Sequence, residues 1–452
     1  MKLRILGVVA LAALAGACDE PLDPTPQQAI PSAEALDTPD EVRVAANAMY
    51  DALQDCDGGY CRNLLIFPDL YVGDLAFTGT YSSDREVGQA TLTAANTALP
   101  GIWGTAYSGI NRANNVLASL PGLQDEFDDE SEYDQLKGEA HFIRALNYLN
   151  LVNFFGGVPL VTQPISQVPS DVGQARNSAA EVYAFIESEL AAARAGLPEL
   201  GSDAAGRASH EAATALLARV HLYQREWQQA YNLADEVIES GHFALEPQYE
   251  NVFEKEQTDE AILEIPYTVT DPGSLAFWFF PGSLGGRRGA APSSAFRNSF
   301  EAGDQRRKVA VQFTSGGTAY GYKYTDIAST ADDVPVLRLA EMYLIRSEAA
   351  ARLGRPAEAV ADLNVIRNRA GLADLPAAVD TQAEALAANL DERRHELFYE
   401  GHRFFDLKRF ADAVPAAQAV LTARGITGNR LLFPLPQREI DANPALTQNP
   451  GY

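Results

Sequence analysis

Hydrophobic residues recur every three to four positions along most of the chain, which predicts a mainly helical fold. The first such stretch is 38–53, where a capping Thr38 precedes Pro39 and where Val42, Ala45 and Met49 share one face. The same periodicity predicts helices at 102–120, ending at Pro121-Gly122, and at 132–155, 179–197 and 210–224.

Two stretches, 213–241 and 341–371, share one pattern: a helix rich in small residues, a short turn and a second helix. The turns fall near Arg225 and at 353–355. This pattern predicts tetratricopeptide-like helix pairs that stack to bury a common face. Because the spacing is irregular, two unrelated helical hairpins are the alternative.

Two other segments, 58–100 and 271–324, lack helical periodicity and are rich in glycine, serine and aromatic residues. Residues 260–267 are typical of a short apolar strand. An irregular segment of this length inside a compact chain is usually either functional or wrongly assigned, and we favour a functional role. We therefore expect a large loop-rich region for ligand binding, with few short strands, attached to the helical scaffold.

The N-terminus has the pattern of an export signal. Lys2 and Arg4 precede an apolar run at 5–14, and small residues lead into Cys18. Residues 14–18 (LAGAC) resemble a lipobox, which predicts a signal peptide at 1–18 and lipid attachment at Cys18. Ordinary cleavage near Ala17 is the alternative. A proline-rich polar tether at 19–37 and a single body at 38–452 complete the predicted organisation.

The formal net charge of −26 argues against a nucleic-acid partner, because such a surface repels phosphates. After the signal, no stretch approaches the roughly 20 apolar residues of a membrane span, so the lipid is the only predicted membrane link. Cys56 and Cys61 bracket two glycines, and an exported chain meets oxidising conditions, so we predict a disulfide. Metal binding is the weaker alternative, and no cofactor is predicted.

Several motifs in a fixed order resemble the SusD/RagB family of outer-membrane lipoproteins. They are 111–117 (NRANNVL), 138–145 (GEAHFIRA), 153–159 (NFFGGVP), 338–349 (RLAEMYLIRSEA), 364–372 (NVIRNRAGL), 392–397 (ERRHEL), 400–409 (EGHRFFDLKR), 433–436 (FPLP) and 448–452 (QNPGY). The resemblance runs from Cys18 to Tyr452.

This resemblance implies a lipid-anchored protein on the extracellular face of the outer membrane. It implies capture of an oligosaccharide and delivery to a TonB-dependent, SusC-like transporter. Capture of oligopeptides on the same architecture, as in RagB-like members, is one alternative. A helical-repeat scaffold that binds another protein is a second alternative, and it fits the two irregular segments poorly.

Charged residues inside the family motifs lie among apolar positions, so we expect them to form ion pairs between helices. They are Arg144, Glu341, Arg346, Glu396, Arg403 and Asp406. Trp103, Phe404 and Phe405 are expected in the core.

Sugars offer C–H faces to aromatic rings and hydroxyls to planar polar groups, so a glycan site needs exposed aromatic residues beside polar ones. The two irregular segments supply that mixture. The candidate contacts are Asp69, Tyr71, Asp74, Tyr81, Asp84, Arg85, Trp278, Phe280, Arg287 and Tyr322, with Phe277, Arg288, Tyr320 and Tyr324 nearby in sequence. For any one of them, core packing is the competing interpretation.

An enzyme is the less favoured class. A glycosidase needs two carboxyl groups across a cleft, and no spacing singles out such a pair among the 61 acidic residues. The sequence also has no Gly-x-Ser-x-Gly elbow and no His-Glu-x-x-His helix. We therefore predict binding without catalysis.

Overall fold

The computed structural model describes residues 36–165, 173–199 and 206–452. The predicted signal peptide, Cys18 and nearly all of the tether lie outside these residues. In chain order the helices are α1 (Pro39–Gln54), α2 (Asn63–Val72), α3 (Ser82–Gly88), α4 (Leu99–Leu123), α5 (Glu130–Phe155), α6 (Ala179–Gly196), α7 (His210–Gln224), α8 (Trp227–Glu239), α9 (Asn251–Glu254), α10 (Leu275–Phe279), α11 (Ser294–Arg297), α12 (Arg307–Ala310), α13 (Leu339–Arg352), α14 (Pro356–Arg369), α15 (Gln382–Glu396), α16 (Arg403–Phe410), α17 (Pro415–Ala423) and α18 (Gln437–Ala442).

Local signals in the sequence explain most helix ends. The Thr38 side chain accepts a hydrogen bond from the Glu41 backbone N–H at the start of α1, and Ser178 forms a capping box at the start of α6. Gly156 ends α5 with a positive φ of 75°. The predicted stop at Pro121 is wrong: α4 continues through that proline to Leu123.

The long helices pack in chain order, α4 on α1 and on α5, then α5 on α6, α6 on α7 and α7 on α8. Helix α13 then packs on α8 and on α14, and α15 packs on both α13 and α14. The pairs α7/α8 and α13/α14 are the predicted tetratricopeptide-like units, which confirms the helix-pair scaffold. Ala230, Ala234 and Ala359 are fully buried where these helices meet. Their small side chains allow a close approach of the backbones.

The described strands form short antiparallel pairs: β1 (Leu75–Phe77) with β3 (Ala290–Pro292), β2 (Ala261–Ile265) with β6 (Val334–Arg338), and β4 (Gln312–Phe313) with β5 (Ala319–Tyr320). The strand predicted at 260–267 is confirmed as β2, and every residue of β2 and β6 is buried. The β1–β3 pair joins the two segments predicted to be irregular.

Segment 58–100 is more regular than we predicted, because it contains α2 and α3. All ten residues of α2 are buried, so this helix has no polar face and no amphipathic periodicity to reveal it. It also contains Pro68, which weakens a helix prediction. Segment 271–324 consists of short helices and strands joined by loops, closer to the expectation.

A continuous hydrophobic core extends from Val42 in α1 to Leu446 near the C-terminus. Trp103 and Phe404 are buried in it as predicted, and Phe405 is half-buried against it. The core therefore ties the N-terminal helices to the C-terminal motif.

The predicted ion pairs between helices are present. Arg144 of α5 contacts Glu189 of α6 at 2.6 Å, and Arg346 of α13 contacts Asp362 of α14 at 2.7 Å. The Arg219 Nε of α7 donates to Glu341 Oε1 of α13 at 2.7 Å. These charges pair with one another and connect neighbouring helices of the scaffold.

A deeply buried charge cluster surrounds Arg338, which is 1% exposed. Its Nε donates to Glu400 at 2.8 Å, and its Nη1 donates to Glu260 at 2.8 Å and to Glu396 at 2.6 Å. Burial acts to raise the pKa of Glu400, but Arg338 and Lys323 lower it to about 2. This cluster joins β6 to the end of α15.

Candidate functional site

Three of the predicted contact residues meet at one exposed surface. Tyr81 is 45% exposed, and its ring centre lies 5.9 Å from that of Trp278. The Arg287 guanidinium lies 4.3 Å from the Tyr81 ring centre and 5.6 Å from that of Trp278. Its Nη2 donates to the Thr80 hydroxyl at 3.0 Å, which fixes its position. One side chain of this cluster comes from segment 58–100 and two come from segment 271–324.

Arg62, which we did not predict, stacks on Trp278 with its guanidinium carbon 3.8 Å from the ring centre. Its Nη2 pairs with Asp84, and its Nη1 donates to the Asn63 side chain at 2.9 Å. Burial lowers the pKa of Arg62, and the Asp84 carboxylate opposes that effect. A cation over the indole face stabilises the ring in one orientation.

Trp278 lies in the short helix α10, one turn after Ser274. Its indole N–H donates to the Ser274 hydroxyl at 3.1 Å. A Cβ at Gly289 would lie 2.8 Å from the indole Cε3, so only glycine leaves room for the ring at this position. The indole is therefore fixed at its nitrogen and enclosed on its benzene side.

Beside the aromatic cluster is an open pocket of about 580 Å³. Its lining combines aromatic, acidic, basic and amide groups, including Asp57, Arg62, Asn63, Tyr81, Trp278 and Arg438. A wall of the pocket is the loop closed by the Cys56–Cys61 disulfide. Such a mixture of flat rings and hydrogen-bonding groups is suited to a polyhydroxylated ligand.

The disulfide loop is held tightly against the start of α4. One Asp55 carboxylate oxygen accepts from the Asp57 and Gly58 backbone N–H groups at 2.8 and 2.9 Å, and from the Thr105 hydroxyl at 3.0 Å. A Cβ at Gly58 would lie 2.1 Å from the Gly101 carbonyl oxygen. Glycine is therefore required where the loop and the helix touch.

Three predicted contact residues are withdrawn because they lie in the core. Asp69 is 1% exposed and accepts from the Tyr399 backbone N–H, and Tyr71 packs edge-on against Phe404 and Phe433. Phe280 is buried against Tyr320. Asp69 and Tyr71 lie in the fully buried helix α2, and Phe280 lies between two buried neighbours in sequence. The sequence pattern did not reveal that these candidates point inward.

Four further candidates lie apart from the aromatic surface or support it from beneath. Asp74 forms ion pairs with Arg394 at 2.6 Å and Arg403 at 3.2 Å, so it belongs to the scaffold. Asp84 is buried under Arg62. Arg85 is exposed and lies 5.7 Å from the Phe77 ring centre. Tyr322 stacks on Phe280 and lines a separate pocket of about 160 Å³.

Several residues that line the aromatic pocket were not predicted from the sequence. Arg62, Asn63 and Asp57 lie immediately beside the cysteine pair, so the predicted disulfide was the available signal for them. Arg438 lies in the C-terminal tail, between the family motifs at 433–436 and 448–452. No local pattern places it at the pocket.

Two groups of carboxylates and imidazoles have ligand atoms within 4.8 Å of one another: Glu187 with His221 and Glu226, and Glu199 with Glu211 and His242. Within each, an imidazole already contacts a carboxylate, at 2.6 Å for His221–Glu226 and 2.7 Å for His242–Glu211. Both groups lie on the helical scaffold, and neither contributes to the lining of the aromatic pocket.

Across the described ranges, no helix has both the length and the apolar character needed to cross a membrane.

The fold and the site together define a class: a stacked helix-pair scaffold with an open aromatic pocket built from its connecting segments. Two family profiles match this chain. One is described as "SusD family" and matches residues 311–452; the other is described as "Starch-binding associating with outer membrane" and matches residues 22–222. The chain belongs to the SusD/RagB family.

Relatives of known name support this assignment along the whole chain. "SusD-like protein P2" of Formosa agariphila is 28% identical over 513 aligned positions that cover all of both chains. "Starch-binding protein SusD" of Bacteroides thetaiotaomicron is 23% identical over 76% of each chain.

Solved structures agree. A laminarin-binding SusD-like protein superposes with a TM-score of 0.79 at 27% identity, covering 92% of this chain and all of the other. Surface glycan-binding protein A from Bacteroides uniformis also reaches 0.79, at 26% identity, over 91% of this chain and 99% of its own.

Proposed function

We propose that this protein captures oligosaccharides at the pocket lined by Tyr81, Trp278 and Arg62, with Arg287 beside the two rings. The observation that carries the proposal is the meeting of Tyr81 and Trp278, from two distant segments, beside an open pocket of about 580 Å³. The rings offer flat apolar faces to sugar C–H groups. Asp57 and Arg438, which are exposed, offer hydrogen-bonding groups to the hydroxyls.

The names of the relatives support glycan as the ligand class, because they include starch-binding, laminarin-binding and surface glycan-binding proteins. The proposed role is capture without cleavage at the extracellular face of the outer membrane. Cys18 carries the lipid anchor, and a SusC-like TonB-dependent transporter receives the bound oligosaccharide. The family description that mentions association with the outer membrane supports this location.

The central test is isothermal titration calorimetry with laminarin and starch oligosaccharides on the wild type, Trp278→Ala and Tyr81→Ala. Loss of a central aromatic anchor should weaken binding at least about tenfold. Val365→Ala is the matched control, since Val365 is an exposed hydrophobic residue on α14. Unchanged affinity in both aromatic variants would overturn the proposed site.

A glycan and peptide array tests the ligand class. Binding of peptides alone would transfer the proposal to oligopeptide capture. Release of new reducing ends from bound oligosaccharide by the purified protein would contradict capture without cleavage.

Location and partner need a separate experiment in cells. The Cys18→Ser variant should lose acyl labelling and leave the membrane fraction. The wild type should co-purify with a barrel transporter, and its absence from that complex would contradict the proposed delivery step.

A further inference from the structure

We infer that the Cys56–Cys61 disulfide holds the Trp278 side chain in its ligand-binding orientation, acting through the Ser274 hydroxyl. The inference rests on the proposed function, because the orientation of Trp278 matters for capture only if the pocket binds ligand. It makes Cys56, Cys61 and Ser274 positioning residues.

The first support is the set of contacts at Ser274. Its Oγ lies 3.0 Å from Cys61 Sγ, 3.5 Å from Cys56 Sγ and 3.3 Å from the Cys61 carbonyl oxygen. The same Oγ accepts the Trp278 indole N–H at 3.1 Å. A serine hydroxyl has one proton to donate. With the indole donating to it, that proton is directed toward Cys61, and the hydroxyl links the disulfide to the indole.

The second support is Arg62, which directly follows Cys61 in the chain. Its guanidinium stacks on the Trp278 ring at 3.8 Å and is itself held by Asp84. The disulfide loop therefore contacts the indole twice: at its nitrogen through Ser274 and on its face through Arg62. A shift of Cys61 would move both contacts together.

The third support is the composition of the loop. Gly58 and Gly59 lie between the cysteines, and glycine gives the backbone more freedom than any other residue. In the N-terminal half of the loop, the Asp57 and Gly58 backbone N–H groups donate to the Asp55 carboxylate. The Asn63 side-chain amide donates to the Asp57 carbonyl oxygen. In the second half of the loop, the Gly59 and Tyr60 backbone N–H groups donate to the Asp55 and Leu53 carbonyl oxygens at 2.7 and 2.9 Å, and the disulfide adds a covalent link between Cys61 and Cys56.

The experiment uses the full chain with three changes: Cys56→Ser/Cys61→Ser, Ser274→Ala and, as a matched control, Ser283→Ala. Ser283 is an exposed serine close to Trp278 in sequence. We expect the double cysteine variant and Ser274→Ala to bind laminarin oligosaccharides about tenfold more weakly, because each loses about one buried hydrogen bond of ordinary strength. Ser283→Ala should bind them normally.

A second readout needs no ligand. The fluorescence of Trp278, taken as the difference between each protein and its Trp278→Phe counterpart, should shift to longer wavelength in the double cysteine variant, in Ser274→Ala and in the reduced wild type. The Ser274→Thr variant keeps a hydroxyl and should restore both the emission and the affinity.

Normal affinity and unchanged Trp278 emission in the double cysteine variant would overturn the inference. Weak binding in the cysteine variant together with normal binding in Ser274→Ala would overturn the step through Ser274. Failure of Trp278→Ala itself to weaken binding would instead overturn the proposed function, so the two failures are distinguishable.

Discussion

Arginine has different surroundings in two regions of this protein. In the scaffold, Arg338 is enclosed by Glu260, Glu396 and Glu400 and has almost no contact with solvent. Beside the pocket, the Arg287 guanidinium lies over the Tyr81 ring and donates a hydrogen bond to the Thr80 hydroxyl. Carboxylates neutralise the Arg338 guanidinium, whereas the Arg287 guanidinium faces aromatic rings that are accessible to solvent.

The difference shows how one residue type serves two purposes. A buried charge that loses its partners is strongly destabilising, so the scaffold arginines act on stability. A guanidinium at an exposed ring adds little to stability but shapes the surface that a ligand meets. Variants at the two regions should therefore separate stability from affinity.

The largest effect is expected from Arg338→Met. The change removes the partner of three buried carboxylates, although Arg369 and Arg306 still reach Glu396. We expect the free energy of unfolding in urea to fall by about 3–5 kcal/mol. The folded fraction should bind ligand normally. A fall in the free energy of unfolding of less than about 1 kcal/mol would show that the remaining arginines compensate for Arg338. Scaffold and pocket arginines would then not differ in their effect on stability.

The next effect concerns Asp69, a buried carboxyl whose Oδ1 has no hydrogen-bond partner in the part of the chain that the structure describes. Burial, followed by the nearby Asp74, raises the pKa of Asp69 to about 7. An unfolded aspartate titrates near pH 3.9, so the folded state binds the proton more tightly. Its contribution to stability is complete below about pH 4 and is lost as the pH rises through 7.

Asp69→Asn should therefore make the protein more stable than the wild type at pH 8, by on the order of 2 kcal/mol, with no such gain at pH 4. Asparagine keeps an oxygen to accept the Tyr399 N–H. Urea unfolding across this pH range measures the effect, with exposed Asp380→Asn as control. A gain independent of pH would contradict the assigned pKa.

A smaller effect is expected at the pocket. Arg287→Ala removes the cation beside Tyr81 and Trp278, and we expect oligosaccharide affinity to fall about three- to fivefold, near 1 kcal/mol. The melting temperature should stay within about 1 °C, since Arg287 is exposed. A clear drop in melting temperature with normal affinity would reverse the roles assigned to the two regions.

The smallest effect should come from a surface ion pair. Arg355 and Glu358 are 3.7 Å apart, with side chains 39% and 51% exposed. Arg355→Ala should change the free energy of unfolding by less than about 1 kcal/mol and leave affinity unchanged. A fall in the free energy of unfolding comparable to that of Arg338→Met would mean that burial does not determine how much an arginine contributes to stability.

The scaffold was predictable in part because helices such as α1 and α8 have one polar and one apolar face, and because several helices carry local start signals. Thr38, Ser178 and Ser209 each cap a helix where the pattern begins. Helix α2 was missed for the opposite reason: it is buried on all sides, so periodicity is absent. Helical periodicity appears in a sequence only when part of the helix faces solvent.

The pocket was only partly predictable. Composition correctly drew attention to the segments that hold Tyr81, Trp278 and Arg287. It did not separate them from Tyr71 or Phe280, because an aromatic residue in a loop-rich segment packs inward as readily as outward. Arg62 and Arg438 reach the pocket through tertiary contacts that sequence spacing does not encode.

The β1–β3 pair connects a segment from the first quarter of the chain to one from the third quarter. Tyr81 lies shortly after β1, and Trp278 lies shortly before β3. The proposed capture surface can form only when both parts of the chain have been synthesised and have docked. A truncated or half-folded chain would present neither a complete pocket nor its ligand affinity. Ligand binding is thus a stringent assay of whether a preparation of this protein has reached its native state.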